Sequence, residues 1–582
     1  MEKQVQVQFK YIIKHVLQVV IKRSILMRKS FLAIFIIQLL VSPTNIYAQV
    51  EHFSEISSFD VLRLKQMTSA DSVEDFSFAL RSTSILNGLR DRRSGKVKKG
   101  FSFTPYSIGY TFQQNNNLGL GINDGSILPS VGGQDRFMVN VEARWKGLVI
   151  TIAPEFLRAE NLEPEDFVLN SQDPNYMARY YLFIVNKIDI FSRYGVNKIQ
   201  KTLLGQSGIR YEKKSFSVGI SNENLWWAPG VRNSLVMTNN APGFPHFSFN
   251  TIKPISTKIG KFEGQFVVGL PVNPAFDHPD NLRMRKIWEA GIAKKDSSSR
   301  SFVGLMVDWQ PVWTKNLHIG LATSSISYLK NKDGRLFAFP LFMSRKPIKL
   351  GSMYIRYVMP NDKTELYLEY GRADKMTTLF NILQDSIPTG YTAGIRKLFQ
   401  ISGGKSHFIV GIEVTRLQLP DPRLIFTMGD PFGIPQTNSW YTGRQVLQGY
   451  TNYGQVIGAG IGPGSNSQTL QLAWVKGSKK ISITGERVAH NNDFYYYNYI
   501  TNSLIPQYQN PNKFWADINA TGQFQWNVKN FMFGAAWSYT SLLNYRWLKL
   551  DGGFSGPSKI SDKRNTQISA SAAWFFNTGF LK

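Results

Sequence analysis

FMVNVEARWKG, Phe137 to Gly147, decides the fold. Phe137, Val139, Val141, Ala143 and Trp145 alternate with Met138, Asn140, Glu142 and Arg144, a period of two that reads as a strand with one apolar and one polar face. Lys146-Gly147 then turns the chain tightly. The pattern recurs at Ile355 and Tyr357 around Arg356, at Leu366 and Leu368 around Tyr367, at Ile481 and Ile483 around Ser482, and at Phe524, Trp526 and Val528 around Gln525 and Asn527. A soluble sandwich also alternates, but it rarely needs strands this long. In an outer-membrane barrel the apolar face meets lipid and the polar face lines the lumen.

Connection lengths agree. Tight turns at Lys146-Gly147, Lys213-Lys214, Pro360-Asn361-Asp362, Gly403-Gly404, Lys476-Gly477-Ser478 and Val528-Lys529-Asn530 alternate with long segments at 157–205, 223–245, 373–390, 417–466, 490–512 and 542–564. Such barrels have short periplasmic turns and long outer loops. Counting from Phe101–Phe112 through Leu336–Phe342 to Thr566–Phe576 gives roughly twenty strands of about 8 to 12 residues. A barrel grows around a lumen rather than by deepening one core, so it absorbs 582 residues that would otherwise suggest several soluble domains.

The N-terminus points to export. Met27-Arg28-Lys29, the apolar run Phe31 to Val41 and Ile46-Tyr47-Ala48-Gln49 form a basic region, a short apolar core and a small-residue cleavage site. Residues 1–48 are expected to be a signal peptide, with Met27 as the natural start. Residues 49–100 lack alternation, could form one or two short helices, and are placed in the periplasm ahead of a barrel spanning 101–582. Removing 1–48 deletes seven Lys/Arg and one Glu, so a formal charge of +27 falls by six to +21. Outside the cytoplasm that balance points to acidic polysaccharide or lipid phosphate rather than nucleic acid. There is no cysteine, which excludes disulfides, thiol catalysis and cysteine metal sites.

Several segments invite a chemical reading. His246, Ser248 and Asn250 share one face of a strand, the residue set of an outer-membrane phospholipase, although a lumen wall supplies polar residues at that spacing anyway. Asp277-His278-Pro279-Asp280 lacks the spacing of a calcium loop and reads as a solvated turn. The glycine-rich run 458–464 lacks the Lys-Ser/Thr of a phosphate cradle and reads as a flexible yet shaped outer loop. Tyr495, Tyr496 and Asn498, in a run that interleaves aromatic with Asn and Asp residues, suit sugar faces and hydroxyls, with an interfacial aromatic girdle as the alternative. No cofactor, metal or catalytic residue is expected.

The segment between Ser221 and His246 carries Trp226-Trp227-x-Pro229-Gly230, Asn233 to Leu235, and Asn239-Asn240-Ala241-Pro242-Gly243-Phe244-Pro245. With Asn123-Asp124-Gly125, Gly205-Gln206-Ser207 and the run from Ile461 to Gln468, it resembles the capsule assembly protein Wzi family. Ala228 departs from the glycine expected there. The resemblance implies an all-β, transmembrane antiparallel barrel of about 18 strands, within a range of 18 to 20. It also implies a non-enzymatic outer-membrane lectin that binds exported capsular polysaccharide and helps attach it at the cell surface. A full periplasmic helical bundle, which family members can carry, does not fit so short an N-terminal segment. Chemistry, rather than the resemblance, nominates the glycan contacts: Trp226 and Trp227 for stacking, Asn239 and Asn240 for hydrogen bonds, and Arg232 and Arg444 for acidic sugars. Pro229, Gly230, Pro242, Gly243, Phe244 and Pro245 would hold the shape of the loop. The expected partners are the polysaccharide, outer-membrane lipid with lipopolysaccharide, and the barrel-assembly machinery, around a monomer. The alternatives are a porin or glycan-permeable channel, and, further off, the phospholipase.

Overall fold

The computed structural model describes residues 55–68, 76–82, 85, 100–164, 174–274, 276–331, 347–373, 388–401, 403, 406–419, 438–500, 514–547 and 562–576. The expected signal peptide and the expected strand Leu336–Phe342 lie outside them. No described helix is long and apolar enough to cross a membrane. The chain instead closes 18 antiparallel strands into a ring, each paired with its neighbours in sequence.

The ring opens with Ser102–Asn115 and Gly132–Trp145 and ends with Lys563–Phe575, which pairs back onto the first strand with Ser107 opposite Phe575 and Asn115 opposite Gln567. The two leading strands are 14 residues long, enough at the tilt of such barrels to cross about 30 Å of hydrocarbon. The count of roughly twenty is corrected to 18, because several sequence runs are halves of one strand. Leu148–Ile152 and Glu155–Ala159 both pair with Gly132–Trp145, interrupted at Ala153-Pro154. Ile199–Leu203 and Gly208–Lys213 pair with those two halves in turn.

Alternation does what the sequence predicts. Ile355, Tyr357, Leu366, Leu368, Ile481, Ile483, Phe524 and Val528 point outward and are exposed, while Arg356, Glu365, Tyr367 and Glu369 point inward and are buried. An outward Arg or Lys near the bilayer midplane would cost about 2–4 kcal/mol, so register is fixed by where the charges fall.

The tight turns carry lysine. Lys146, Lys214, Lys258, Lys315, Lys363 and Lys529 sit within turns, and Lys476 and Lys479 flank the turn at 477–478. Lys146, Lys214, Lys363 and Lys529 have φ of 44°, 56°, 49° and 52°. That left-handed region costs an L-residue roughly 1–2 kcal/mol and is usually filled by Gly or Asn.

The N-terminal segment is not left ahead of the barrel: its described part lies within the lumen. Helix Glu55–Thr68 docks near the short-turn end, where Arg63 donates to Glu365 at 3.0 Å and Arg396 pairs with Asp60 at 2.7 Å. Leu64 and Met67 cover Val358, Leu398, Ile409, Ala473 and Val475, apolar residues on the inward face of their strands. Arg356 donates to the Ser77 carbonyl at 3.0 Å, and the Ser77 hydroxyl donates to Glu263. Leu80–Ser82 then forms a two-stranded sheet with Leu225–Trp227. The physical reason is complementarity: the wall presents an apolar patch and unmatched carboxylates, and the segment brings leucine, methionine and arginine to them.

Candidate functional site

The segment between Ser221 and His246 is the inner layer of the material filling the lumen. Trp227 is fully buried and its Nε1 donates to Gln265 Oε1 at 2.8 Å. Trp226 Nε1 donates to Ser234 Oγ at 3.0 Å, and the Arg81 guanidinium lies 4.5 Å from a Trp226 ring centroid. Arg81 also donates to the carbonyls of Ala228 and Gly230 at 2.8 and 2.7 Å, and Arg63 donates to that of Pro229 at 2.6 Å. Both tryptophans are therefore packing residues, withdrawn from any surface a sugar could reach, and their nomination as stacking platforms is corrected. Their indoles sit where apolar area is buried and the N–H still finds a partner.

The glycines of the segment sit in close-packed surroundings. A Cβ on Gly230 would lie 1.7 Å from the Asn233 carbonyl oxygen, and one on Gly243 would lie 1.9 Å from that of Asn222. Ala228 has φ 74°, the conformation for which glycine was expected. Phe244 packs 5.3 Å from Phe302, and the carbonyls of Pro242 and Pro245 accept from Asn452 and Leu270. The Glu413 carboxylate accepts the backbone N–H groups of Val231, Arg232 and Asn233, fixing the tip of the segment against the wall.

Above this layer the longer loops build an aromatic core. Trp440, Tyr441, Tyr450, Phe494, Tyr497 and Trp547 are buried in one cluster with Trp227. The run expected to offer Tyr495, Tyr496 and Asn498 to a glycan is a helix, Asn492–Ile500. Tyr495 is buried against Phe514, Tyr496 is partly buried on the same core, and the Asn498 side chain lies outside the described residues. Asp493 accepts from the Leu419 N–H at 2.9 Å and from the Ser439 hydroxyl, and burial raises its carboxyl to about 6. Arg444 is exposed at the loop end, away from the cavity described next, and its Nε donates to Asn438 at 3.2 Å. Burial and the nearby Arg444 charge lower the ammonium of Lys187 to about 8.

Between this filling and the opposite wall remains a cavity of about 360 Å³. Asp60, Arg396 and Lys480 line it toward the short turns, and Asn123, Asp124, Asn239 and Arg232 toward the loops. Its far side is strand wall: Gln471, Thr484, Asn519, Thr521, Gln523, Gln525, Ser569 and Ser571. That side offers donors and acceptors without formal charge. The charged groups gather at the edges of this wall and on the filling, with Lys480 and Glu486 on the same strand as Thr484. Arg232 makes a bidentate pair with Glu486 at 3.1 and 2.7 Å, and burial raises the Asp124 carboxyl to about 6 against the lowering pull of Arg232 and Arg136. Asn123 Oδ1 and Arg136 Nε are buried there without a hydrogen-bond partner among the described residues. Gln206 reaches the cavity because the interruption between Leu203 and Gly208 frees it to donate to Glu155 at 3.1 Å and Asn224 at 2.9 Å.

Of the nominated residues, only Arg232 and Asn239 meet at this cavity, beside Asn123, Asp124 and Gln206 from the other matching motifs. Asn240 instead donates to the Val456 carbonyl at 2.9 Å and holds two loops together. The amide and hydroxyl wall was missed as a site. Its signal was present in the polar half of the alternation, which in these strands is mostly Gln, Asn, Ser and Thr, with Lys480, Glu486 and Asp517 as charged exceptions.

The remaining candidates are structural. His246 Nε2 lies 3.0 Å from Ser221 Oγ, not on Ser248, and its Nδ1 is 2.8 Å from the Phe244 carbonyl. Asn250 donates to the Thr251 carbonyl, so the His-Ser-Asn set is not assembled. Asp280 lies just before helix Asn281–Trp288 and takes Arg546 at 3.4 Å. The run 458–464 is packed rather than flexible: Ala459 and Ile461 are buried, and the Ala459 N–H donates to the Tyr441 hydroxyl at 2.8 Å. No cluster of metal-ligating side chains occurs among the described residues.

A closed antiparallel ring with an apolar belt outside and a polar lumen within defines the class: this is an outer-membrane β-barrel. Neither a family model nor a curated protein sequence matches the chain. Among solved structures it is similar to Wzi, an outer-membrane protein involved in group 1 capsule assembly in Escherichia coli and a carbohydrate-binding β-barrel. The TM-score is 0.53 at 11% identity, covering 91% of this chain and 95% of that one. It is also similar to OccAB2 of Acinetobacter baumannii, with TM-score 0.39 and 11% identity over 81% of this chain and 98% of that one. With OprB of Pseudomonas putida the values are 0.35 and 12% over 83% and 96%. At these identities the likeness to Wzi is one of fold.

Proposed function

We propose that this barrel is a surface lectin that binds exported capsular polysaccharide and helps hold it at the cell, without performing chemistry on it. The observation that carries the reading is the divided lumen. A plug and an aromatic loop core fill one side, and an uncharged wall of amides and hydroxyls faces the space that remains. Such a wall exchanges hydrogen bonds with sugar hydroxyls as readily as with water. Arg232, Arg136 and Lys480 at the edges of that wall give an acidic sugar its counter-charge. The fold shared with a carbohydrate-binding barrel is consistent with this use. Deleting the gene should release capsule into the medium; unchanged cell-associated capsule with none shed would defeat the proposal.

A second reading is a glycan-permeable channel, favoured by the extent of the cavity from Asp60 and Lys480 to Asp124 and Asn239. Planar-bilayer recording separates the two. A lectin with this filling should conduct poorly, whereas steady open-channel current would favour the channel.

A further inference from the structure

The excess positive charge of the chain has an address. Each fully described short turn between barrel strands contains a lysine or, at 477–478, is flanked by two. Lys146, Lys214, Lys258, Lys315 and Lys529 are exposed, and their turns follow one another around the ring, so the charge forms a collar rather than a patch. Turn geometry does not ask for lysine. At 146, 214, 363 and 529 the residue has positive φ, where Asn or Gly would be more comfortable, so the side chain is retained in spite of the backbone.

What lies beside the collar identifies its partner. Exposed aromatic and aliphatic side chains adjoin these turns, Trp145, Phe216 and Val528 at the strand ends and Ile259 and Trp313 within the turns. Lys146 Nζ is 5.2 Å from the Trp145 ring centroid and Lys479 Nζ is 4.3 Å from that of Trp526. These two amines lean back over aromatic rings, at the depth where headgroup phosphates begin. A charge that encircles the barrel at constant depth matches a planar leaflet; a single polymer chain would ask for a groove or a one-sided stripe.

We infer that the short-turn rim is a binding collar for anionic phospholipid headgroups in the leaflet it touches, which in such barrels faces the periplasm. Each lysine places a cation against lipid phosphate, and the belt beneath fixes its height. The collar is independent of any glycan site in the lumen.

Native mass spectrometry of the full-length protein in detergent, titrated with phosphatidylglycerol or phosphatidylcholine, tests it against the fourfold variant Lys146→Asn, Lys214→Asn, Lys363→Asn, Lys529→Asn. Asparagine suits the left-handed turn position, so the variant is expected to fold, and its heat-modifiable mobility on gels checks that it has. The wild type should retain several phosphatidylglycerol molecules in preference to phosphatidylcholine. The variant should lose that preference, on the order of fivefold for each charge removed. Equal retention of the two lipids by the wild type, or a preference unchanged in the folded variant, would overturn the inference. A parallel titration with soluble polygalacturonate covers the other partner class. If the variant lost that binding while keeping its lipid preference, the rim would be a polymer dock and the collar reading would be wrong.

Discussion

The seven strands from Gly260–Gly269 to Ser406–Arg416 and the five from Asn466–Lys476 to Lys563–Phe575 face the same lumen with different chemistry. The first arc presents Glu263, Asp308, Arg356, Glu365, Glu369, Arg396 and Glu413, all buried by the plug and the loop layer, with Arg396 and Glu413 also reaching the cavity edge. The second presents mainly Gln471, Thr484, Asn519, Thr521, Gln523 and Ser569 to a cavity, and its two charged residues there, Lys480 and Glu486, are answered by Asp60 and Arg232 from the filling. Ionised groups can be buried only where counter-charges arrive, so the acidic and basic arc commits that side to being covered. Neutral amides carry no such demand and can face water or a polyol equally well. One barrel thereby divides its wall into a side that holds its own chain and a side left for something else.

The largest effect should come from breaking the covered arc. Glu365 faces Arg63, Arg356 and Arg396 at 3.0, 2.8 and 3.2 Å. Glu365→Ala would leave three guanidinium groups crowded, with Arg63 and Arg356 stripped of their carboxylate and only Arg396 still paired, to Asp60, a loss of about 5 kcal/mol. It should appear as proteolysis within 55–85 and as raised bilayer conductance. Trp227→Ala should cost about 4 kcal/mol, by opening a cavity in the loop core and leaving Gln265 Oε1 without its donor. Lowered thermal stability, read by gel mobility after heating, checks it.

Smaller effects sharpen the boundary between the arcs. The Asp124 carboxyl, raised from 3.8 to about 6 by burial, binds its proton more readily in the folded state than in the unfolded one. Stability therefore falls as pH rises toward 6 and levels off above it. Asp124→Asn should flatten that slope between pH 4 and 7, a change on the order of 1 kcal/mol after allowance for water in the cavity. Ala228→Gly should relieve the positive φ and stabilise by about 0.5 kcal/mol, since glycine's greater freedom in the unfolded chain offsets part of the gain.

The barrel was legible because its rule is local. Phe137 to Trp145 states both faces of a strand in nine residues, and Lys146-Gly147 states the turn. The strand number was less legible, since the interruptions at Ala153-Pro154 and Leu204–Ser207 look like loops and are pairing defects inside strands. The site was least legible. Trp226 and Trp227 carry the same residue types whether they stack on sugar or fill a core, and only the arrival of Arg81 and Gln265 from distant sequence decides between the two. One clue to the plug was available: Val358, Leu398, Ile409 and Val475 are apolar residues on the polar side of their strands, and an apolar patch facing a lumen calls for a cover.

The division of the lumen is tested most directly by measuring how the purified barrel binds the capsular polysaccharide of its own cell. The wild type should be compared with Gln471→Leu/Gln523→Leu on the amide wall and with Arg444→Gln at the loop surface. The account predicts roughly tenfold weaker binding for the amide-wall pair, with unchanged thermal stability and wild-type affinity for Arg444→Gln. Full affinity in the amide-wall pair together with loss at Arg444 would contradict it.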